Sequence, residues 1–286
     1  MTWEETIKYL RTQPGFKELV QNAYFAEELP LNVERFIKSD EYRETLKLIN
    51  HYAPNATSIL DIGSGNGISS VAFALDGFHV TVTEPDPSDT VGAGAVRKLK
   101  DHYGITVMDV YEDFAEMIKF KDDFFDVVYV RQAMHHANNL QNFLRECSRV
   151  LKPGGILLAI RDHVIYDEDD KQWFLQSHPL QEFYGGENAF TPTEYRMAIN
   201  EAGLLIRKEI KFYDSVINYY PLTTEDIKKM KEQKLLDLKS TLQKKISVLV
   251  NFPFLLDLYK WKNKSALVLD EKEVAGRMYS YIAQKK

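Results

Sequence analysis

Residues Asp61 to Gly67 read D-I-G-S-G-N-G, directly after the apolar run Ser58-Ile59-Leu60. An acid that closes a strand and a glycine-rich turn that opens a helix make a place for an anionic or polar ligand. Glycines at 63, 65 and 67 let the backbone take positive φ and lie against that ligand. The following helix, from about Ile68 to Leu75, aims its free N–H groups at it. The spacing excludes two common nucleotide sites. A dinucleotide fingerprint would need glycine where Ile68 stands, and a P-loop would need Lys-Ser or Lys-Thr after the turn.

The elements around this turn alternate. Strands are expected at Ser58–Ile62, Phe78–Thr83, Ile105–Tyr111, Phe125–Val130, Ile156–Ile160, Leu204–Tyr213 and Met278–Gln284. Helices are expected at Ser88–Tyr103 and Asn139–Val150, with a short one opened by Glu112 and Asp113. Another starts at Thr191-Pro192-Thr193-Glu194, where an N-cap, a first-turn proline and a capping-box glutamate coincide. Lys152-Pro153-Gly154-Gly155 is a turn, and residues 161–190 a long loop with one helical turn near Trp173. The pattern is α/β, a parallel sheet covered on both faces. Residues 1–52 form an N-terminal helical cap, with Ser39 as a helix N-cap. From 223 to 273 the pattern changes to lysine-rich amphipathic helix, with Leu235, Leu238, Leu242, Ile246 and Leu249 on one stripe. That insertion separates the core, residues 53–222, from its last strand in 274–286.

Composition sets the outer bounds. The chain has 286 residues, 44% hydrophobic and 27% charged, with a net charge of −6. The acidic balance argues against a nucleic-acid surface. Cys147 is the only cysteine, which rules out an intramolecular disulfide and a cysteine metal site. No run reaches the ~18 apolar residues of a membrane span, and M-T-W-E-E is not a signal-peptide start. The expectation is a cytoplasmic protein.

The D-x-G-x-G-x-G turn resembles the first motif of class I S-adenosylmethionine-dependent methyltransferases. Phe125-Asp126-Val127-Val128 and Arg149-Val150-Leu151-Lys152-Pro153-Gly154-Gly155 extend the likeness. The resemblance implies a doubly wound, Rossmann-like sheet of seven strands in the order 3-2-1-4-5-7-6, with strand seven antiparallel. It implies S-adenosyl-L-methionine as cofactor and S-adenosyl-L-homocysteine as product. It places Asp61, Gly63, Ser64, Gly65 and Gly67 at the cofactor turn. It places Glu84 and Pro85 at the ribose, and Asp113 with Phe114 at the adenine, with Glu112 as the alternative acid. Arg131 and Gln132 follow strand four beside the methionine part of the cofactor, and Asp126 holds a turn.

His135 and His136 come next in the same cleft and are candidate bases. Arg161-Asp162-His163 is a second cluster, but two ligands make no metal site, so none is expected. His163, Tyr184 and Tyr219 are candidate contacts to a small-molecule acceptor. A macromolecular acceptor (polysaccharide, nucleic acid or protein) rests only on the lysines of 228–245, which a solvated helix face explains. A non-catalytic cofactor-binding protein is the third alternative. The insertion is a lid over the cleft or a homodimer element.

Overall fold

The computed structural model describes residues 1–178, 180–184, 188–245 and 268–286. The N-terminal cap is α1 (Trp3–Thr12), α2 (Lys17–Asn22), α3 (Leu29–Ile37) and α4 (Asp40–Tyr52). Thr2 starts α1 with a capping box to Glu5, and the Ser39 hydroxyl accepts the Tyr42 N–H to start α4. The core follows as β1 (Ser58–Ile62), α5 (Ile68–Leu75), β2 (His79–Thr83), α6 (Ala93–His102), β3 (Met108–Tyr111), β4 (Phe125–Arg131), α7 (Leu140–Val150) and β5 (Leu151–His163). Then come α8 (Glu168–Ser177), α9 (Pro192–Glu201), β6 (Leu204–Ile210), α10 (Val216–Tyr219), α11 (Thr224–Lys245) and β7 (Met278–Lys285).

The strands form one sheet in the order β3-β2-β1-β4-β5-β7-β6. β7 runs antiparallel to both β5 and β6, and the other pairs are parallel. This is the expected α/β topology, with the reversal of strand order between β1 and β4. The two-residue alternation of strands explains the two cores. Ile59, Val127 and Tyr129 point to one face, against Phe73 of α5 and Phe36 of α3. Leu60, Val128 and Val130 point to the other, against Phe143, Leu144 and Cys147 of α7. Both faces are buried, which is why these strands read as nearly unbroken apolar runs.

Several expected boundaries move for local reasons. The helix at Ser88 starts only at Ala93. Asp86 folds the preceding residues into a turn, taking the Ser88 N–H on its carboxylate and the Ala93 N–H on its carbonyl. No helix forms at Glu112 and Asp113. Side chains of α7 hold that segment instead: Glu146 takes the Ile118 N–H, and Arg149 donates to the Ile118 and Phe120 carbonyls. The 152–155 turn is a wide bulge within β5, whose register jumps between Phe125 and Val127 of its partner. The 161–190 loop contains a full helix, α8, N-capped by Asp167 with acids at 168–170 in its first turn. β6 stops at Ile210, because Asp214 takes the Lys211 N–H and turns the chain.

The described part of the insertion is α11. Its Ile227 packs with Phe212, Val216, Tyr219 and Leu269. Leu238 is buried, Leu235 half-buried and Leu236 exposed. The remaining stripe residues Leu242, Ile246 and Leu249 lie outside the described side chains.

Candidate functional site

The glycine turn leaves β1 with all three of its glycines at positive φ, 64° at Gly63, 56° at Gly65 and 81° at Gly67. They do different work. A Cβ on Gly67 would lie 2.8 Å from Val96 of α6, so this glycine lets α5 and α6 close up. Gly63 and Gly65 line a cavity of about 1000 Å³ at the carboxyl ends of the strands. Asp61 does not reach that cavity. It is buried behind the turn and accepts the hydroxyls of Ser69 (2.7 Å) and Ser70 (2.5 Å), tying β1 to the first turn of α5. Asp61 and Gly67 thus support the turn from behind and are not in the cavity wall.

Glu84 ends β2 and faces the turn. Its carboxylate accepts the Gly65 N–H at 2.7 Å and the Asp86 N–H at 3.0 Å. Burial pushes its pKa up to about 7, against the two N–H bonds that favour the charge. Burial likewise raises Asp61 to about 6. Each Glu84 oxygen retains accepting capacity. Pro85, Asp113 and Phe114 also line the cavity. Asp113 is buried against Lys119, whereas Glu112 is solvent-facing and pairs with Arg97, so of the two acids Asp113 is the one in the cavity wall. Phe114 is 63% exposed at the rim.

Arg131 and Gln132 close the floor beside the turn. Arg131 is held from below by Glu41 of α4, with Nε to Oε1 at 2.6 Å and Nη2 to Oε2 at 3.1 Å. Glu41 is fully buried. Burial alone would raise its pKa, but the guanidiniums of Arg131 and Arg161 outweigh that and hold it below the ordinary carboxylate range. The N-terminal cap thus anchors the ends of β4 and β5, an ion-pair role that sequence spacing did not signal.

The far half of the cavity is lined by histidines at 135, 136, 163 and 178. His135 Nδ1 lies 3.0 Å from Asp162 Oδ1. His163 Nδ1 lies 2.8 Å from the Gly276 carbonyl, and burial holds its pKa well below the usual value, so its ring is neutral. Trp3, Leu19 and Phe25 from the cap, with Leu180 and Tyr184, supply apolar walls. The Trp3 and Tyr184 rings stand 5.3 Å apart. Tyr219 is not in this wall. It packs under α11 with its hydroxyl 3.2 Å from the Thr224 hydroxyl. No described residue of α11 lines the cavity, which leaves the described half of the insertion outside the cleft. Among the described residues no group of three His, Cys, Asp or Glu could hold a metal. No helix among them is long and apolar enough to cross a membrane.

A family model described as a methyltransferase domain matches residues 60–159, the stretch from the glycine turn to β5. The chain carries a class I methyltransferase domain. Such a domain takes S-adenosyl-L-methionine as its methyl donor. The ubiquinone biosynthesis O-methyltransferase of Maricaulis maris is 28% identical over 176 residues, 58% of this chain and 64% of that protein. The ubiquinone/menaquinone biosynthesis C-methyltransferase UbiE of Proteus mirabilis is 31% identical over 103 residues, 36% of this chain and 41% of that protein. The matches span less than two thirds of either relative. A solved geranyl diphosphate methyltransferase in complex with the cofactor shares the fold, with a TM-score of 0.56 at 14% identity over 97% of this chain and 94% of its own.

The methyltransferase domain has residues that fit this cofactor. Gly63 has no room for a Cβ, which would stand 2.7 Å from the Ala133 Cβ, so the turn packs closely on the segment after β4 where both line the cavity. Ser64 Oγ is buried with no partner among the described residues, and Ser64 lines the same cavity as Glu84 and Asp113. Glu84 suits the two ribose hydroxyls, and Asp113 suits an exocyclic amine.

Proposed function

We propose that this chain transfers the methyl group of S-adenosyl-L-methionine to a small, uncharged acceptor held beside His135 and His136. The observation that carries this reading is the continuity of the cavity. One space runs from Gly63, Gly65, Glu84 and Asp113 to the histidines and the apolar wall of Trp3, Leu180 and Tyr184. Its volume is at the top of the ~300–1,000 Å³ range of small-molecule sites, with room for a cofactor and a second ligand.

When bound, the cofactor supplies an electrophilic sulfonium methyl, and the C–S bond pair stays on sulfur as S-adenosyl-L-homocysteine forms. The chain's own residues then have positioning as their main task, together with exclusion of water; good orientation contributes up to ~7–11 kcal/mol. Glu84 and Asp113 hold the nucleoside end, and Arg131 with Gln132 the amino-acid end. The cap residues Trp3, Leu19 and Phe25 roof the acceptor half, in keeping with residues 1–52 as a cap over a core that starts at 53.

Charge supports an uncharged acceptor. Arg131 is the only guanidinium or ammonium among the described lining residues, and Glu41 already pairs it. A phosphoryl group would find carboxylates at 84, 86, 113 and 116 and no available strong cation in that wall. The relatives named for quinone biosynthesis are in line with a ring-bearing small acceptor.

The test is transfer of isotope-labelled methyl from S-adenosyl-L-methionine to a panel of neutral phenols and alicyclic alcohols, with phosphate monoesters and total cell macromolecules as comparison. Label in the neutral compounds is the expected result. Label confined to phosphate esters or to macromolecules contradicts the reading.

A further inference from the structure

Two adjacent strands, β4 and β5, leave the sheet through strained residues. Gln132, just after β4, has φ +50°, and Arg161, near the end of β5, has φ +62°. Neither is glycine, and such conformations persist only where the surroundings impose them. The impositions are visible. The Gln132 N–H is tied to the Ile160 carbonyl at 2.9 Å. The Arg161 N–H is tied to the Ser280 hydroxyl, and its guanidinium to the Ile217 and Tyr220 carbonyls. At the same place the register between β5 and β7 shifts, between Ala159 and Asp162. A shift of this kind re-aims the next side chain.

That next side chain is Asp162. It is completely buried. Its Oδ1 accepts the main-chain N–H of His135 at 3.0 Å and lies 3.0 Å from His135 Nδ1. Oδ2 has no partner among the described residues. A carboxylate that deep with one oxygen uncompensated is costly. A positive charge arriving on the imidazole it already touches would offset that cost.

We infer that Asp162 is a positioning residue that holds His135 as the Nδ1–H tautomer, with Nε2 as the proton-accepting nitrogen, so that the acceptor is a hydroxyl compound. This rests on the methyl-transfer reading given above. As the acceptor oxygen takes the methyl group, its O–H proton passes to Nε2 and the O–H bond pair stays on oxygen. His135 becomes an imidazolium against the Asp162 carboxylate and later returns the proton to water. An acceptor without a removable proton would have no use for the arrangement. His163 is the contrasting case. Its Nδ1 meets a neutral carbonyl, which offsets a charge on its ring less than a carboxylate would, and burial outweighs it.

The test is nitrogen-15 NMR of the histidine rings, free and with S-adenosyl-L-homocysteine, using His135→Gln to assign the His135 signals. The wild-type ring is expected to carry its neutral-form proton on Nδ1. A wild-type ring protonated on Nε2 overturns the proposal. Asp162→Leu keeps the shape and removes the oxygen that would accept Nδ1–H. In it the Nδ1–H preference should be lost while S-adenosyl-L-homocysteine binds as before. An unchanged ring would make Asp162 a cap of the 134–136 turn only, and would also overturn the proposal. Failure of S-adenosyl-L-homocysteine to bind the wild type would strike the methyl-transfer reading instead, since the tautomer is read in the free protein as well.

Discussion

Glu84 is the residue on which binding and pH meet. Its folded pKa, about 7, stands above the unfolded value of 4.5. The folded protein therefore holds its proton longer than the unfolded chain. The stability tied to that proton is fully present below pH 4.5 and is lost as pH rises through about 7. At 1.36 kcal/mol per pKa unit the loss is roughly 3 kcal/mol. Asp61, raised from 3.8 to about 6, acts in the same sense over a lower window. In urea unfolding, the ligand-free protein should thus be less stable at pH 8 than at pH 5, and Glu84→Gln should remove most of that slope. Ligand binding should run the other way. A carboxylate that accepts two hydroxyls binds best when ionised, so S-adenosyl-L-homocysteine affinity should rise about tenfold from pH 6 to pH 8. A flat affinity profile would mean that the nucleoside hydroxyls are held elsewhere. The glycines make a second residue-scale prediction. Alanine at either Gly65 or Gly67 incurs the positive-φ cost of about 1–2 kcal/mol. Only at Gly67 does the new Cβ also meet Val96, and only Gly65 lines the cavity. Gly67→Ala should therefore show the larger fall in stability, with cofactor affinity kept, and Gly65→Ala the larger loss of affinity.

At the scale of elements, the strand–turn–helix units were legible because each carries a local signal. The Thr191 capping box, the Ser39 cap and the glycine turn all form as their residues require. What stayed hidden depends on partners far along the chain. The 112–124 segment carries helix-start acids, yet Glu146 and Arg149 of α7 take its backbone groups. Helix α8 did have a local signal, Asp167 followed by three acids, masked by the polar and aromatic residues around it. The link from α4 to the cleft is the clearest case. Nothing near Glu41 announces that it will meet Arg131, 90 residues away. Removing one partner of a buried pair leaves the other uncompensated, typically at about 3–5 kcal/mol. Glu41→Ala should lose stability of that order by chemical denaturation. A loss typical of a surface ion pair, below about 1 kcal/mol, would mean that the Arg131 guanidinium finds water instead.

At the scale of the molecule, the sheet order alone fixes where a ligand can sit. Strand order reverses between β1 and β4, and a crevice opens outside their carboxyl ends. The cofactor half of the cavity was readable because its residues follow strands one to four at short, fixed distances. The acceptor half was not. It is assembled from α1, α2, the 132–138 segment, residues His178, Leu180 and Tyr184 and the end of β5, which only the finished fold brings together. That is why the sequence points to Tyr219, which is not in the cavity wall, and gives no signal for Trp3, Leu180 and His178, which are. The central claim is that the glycine turn and Glu84 form the seat of S-adenosyl-L-methionine. The most direct measurement is calorimetric titration of S-adenosyl-L-homocysteine into the wild-type protein and Glu84→Gln at pH 8. The account predicts one site per chain in the wild type and an affinity at least about tenfold weaker in the variant, whose hydroxyl hydrogen bonds go to a neutral group. No binding to the wild type, or equal affinity in both, would contradict it.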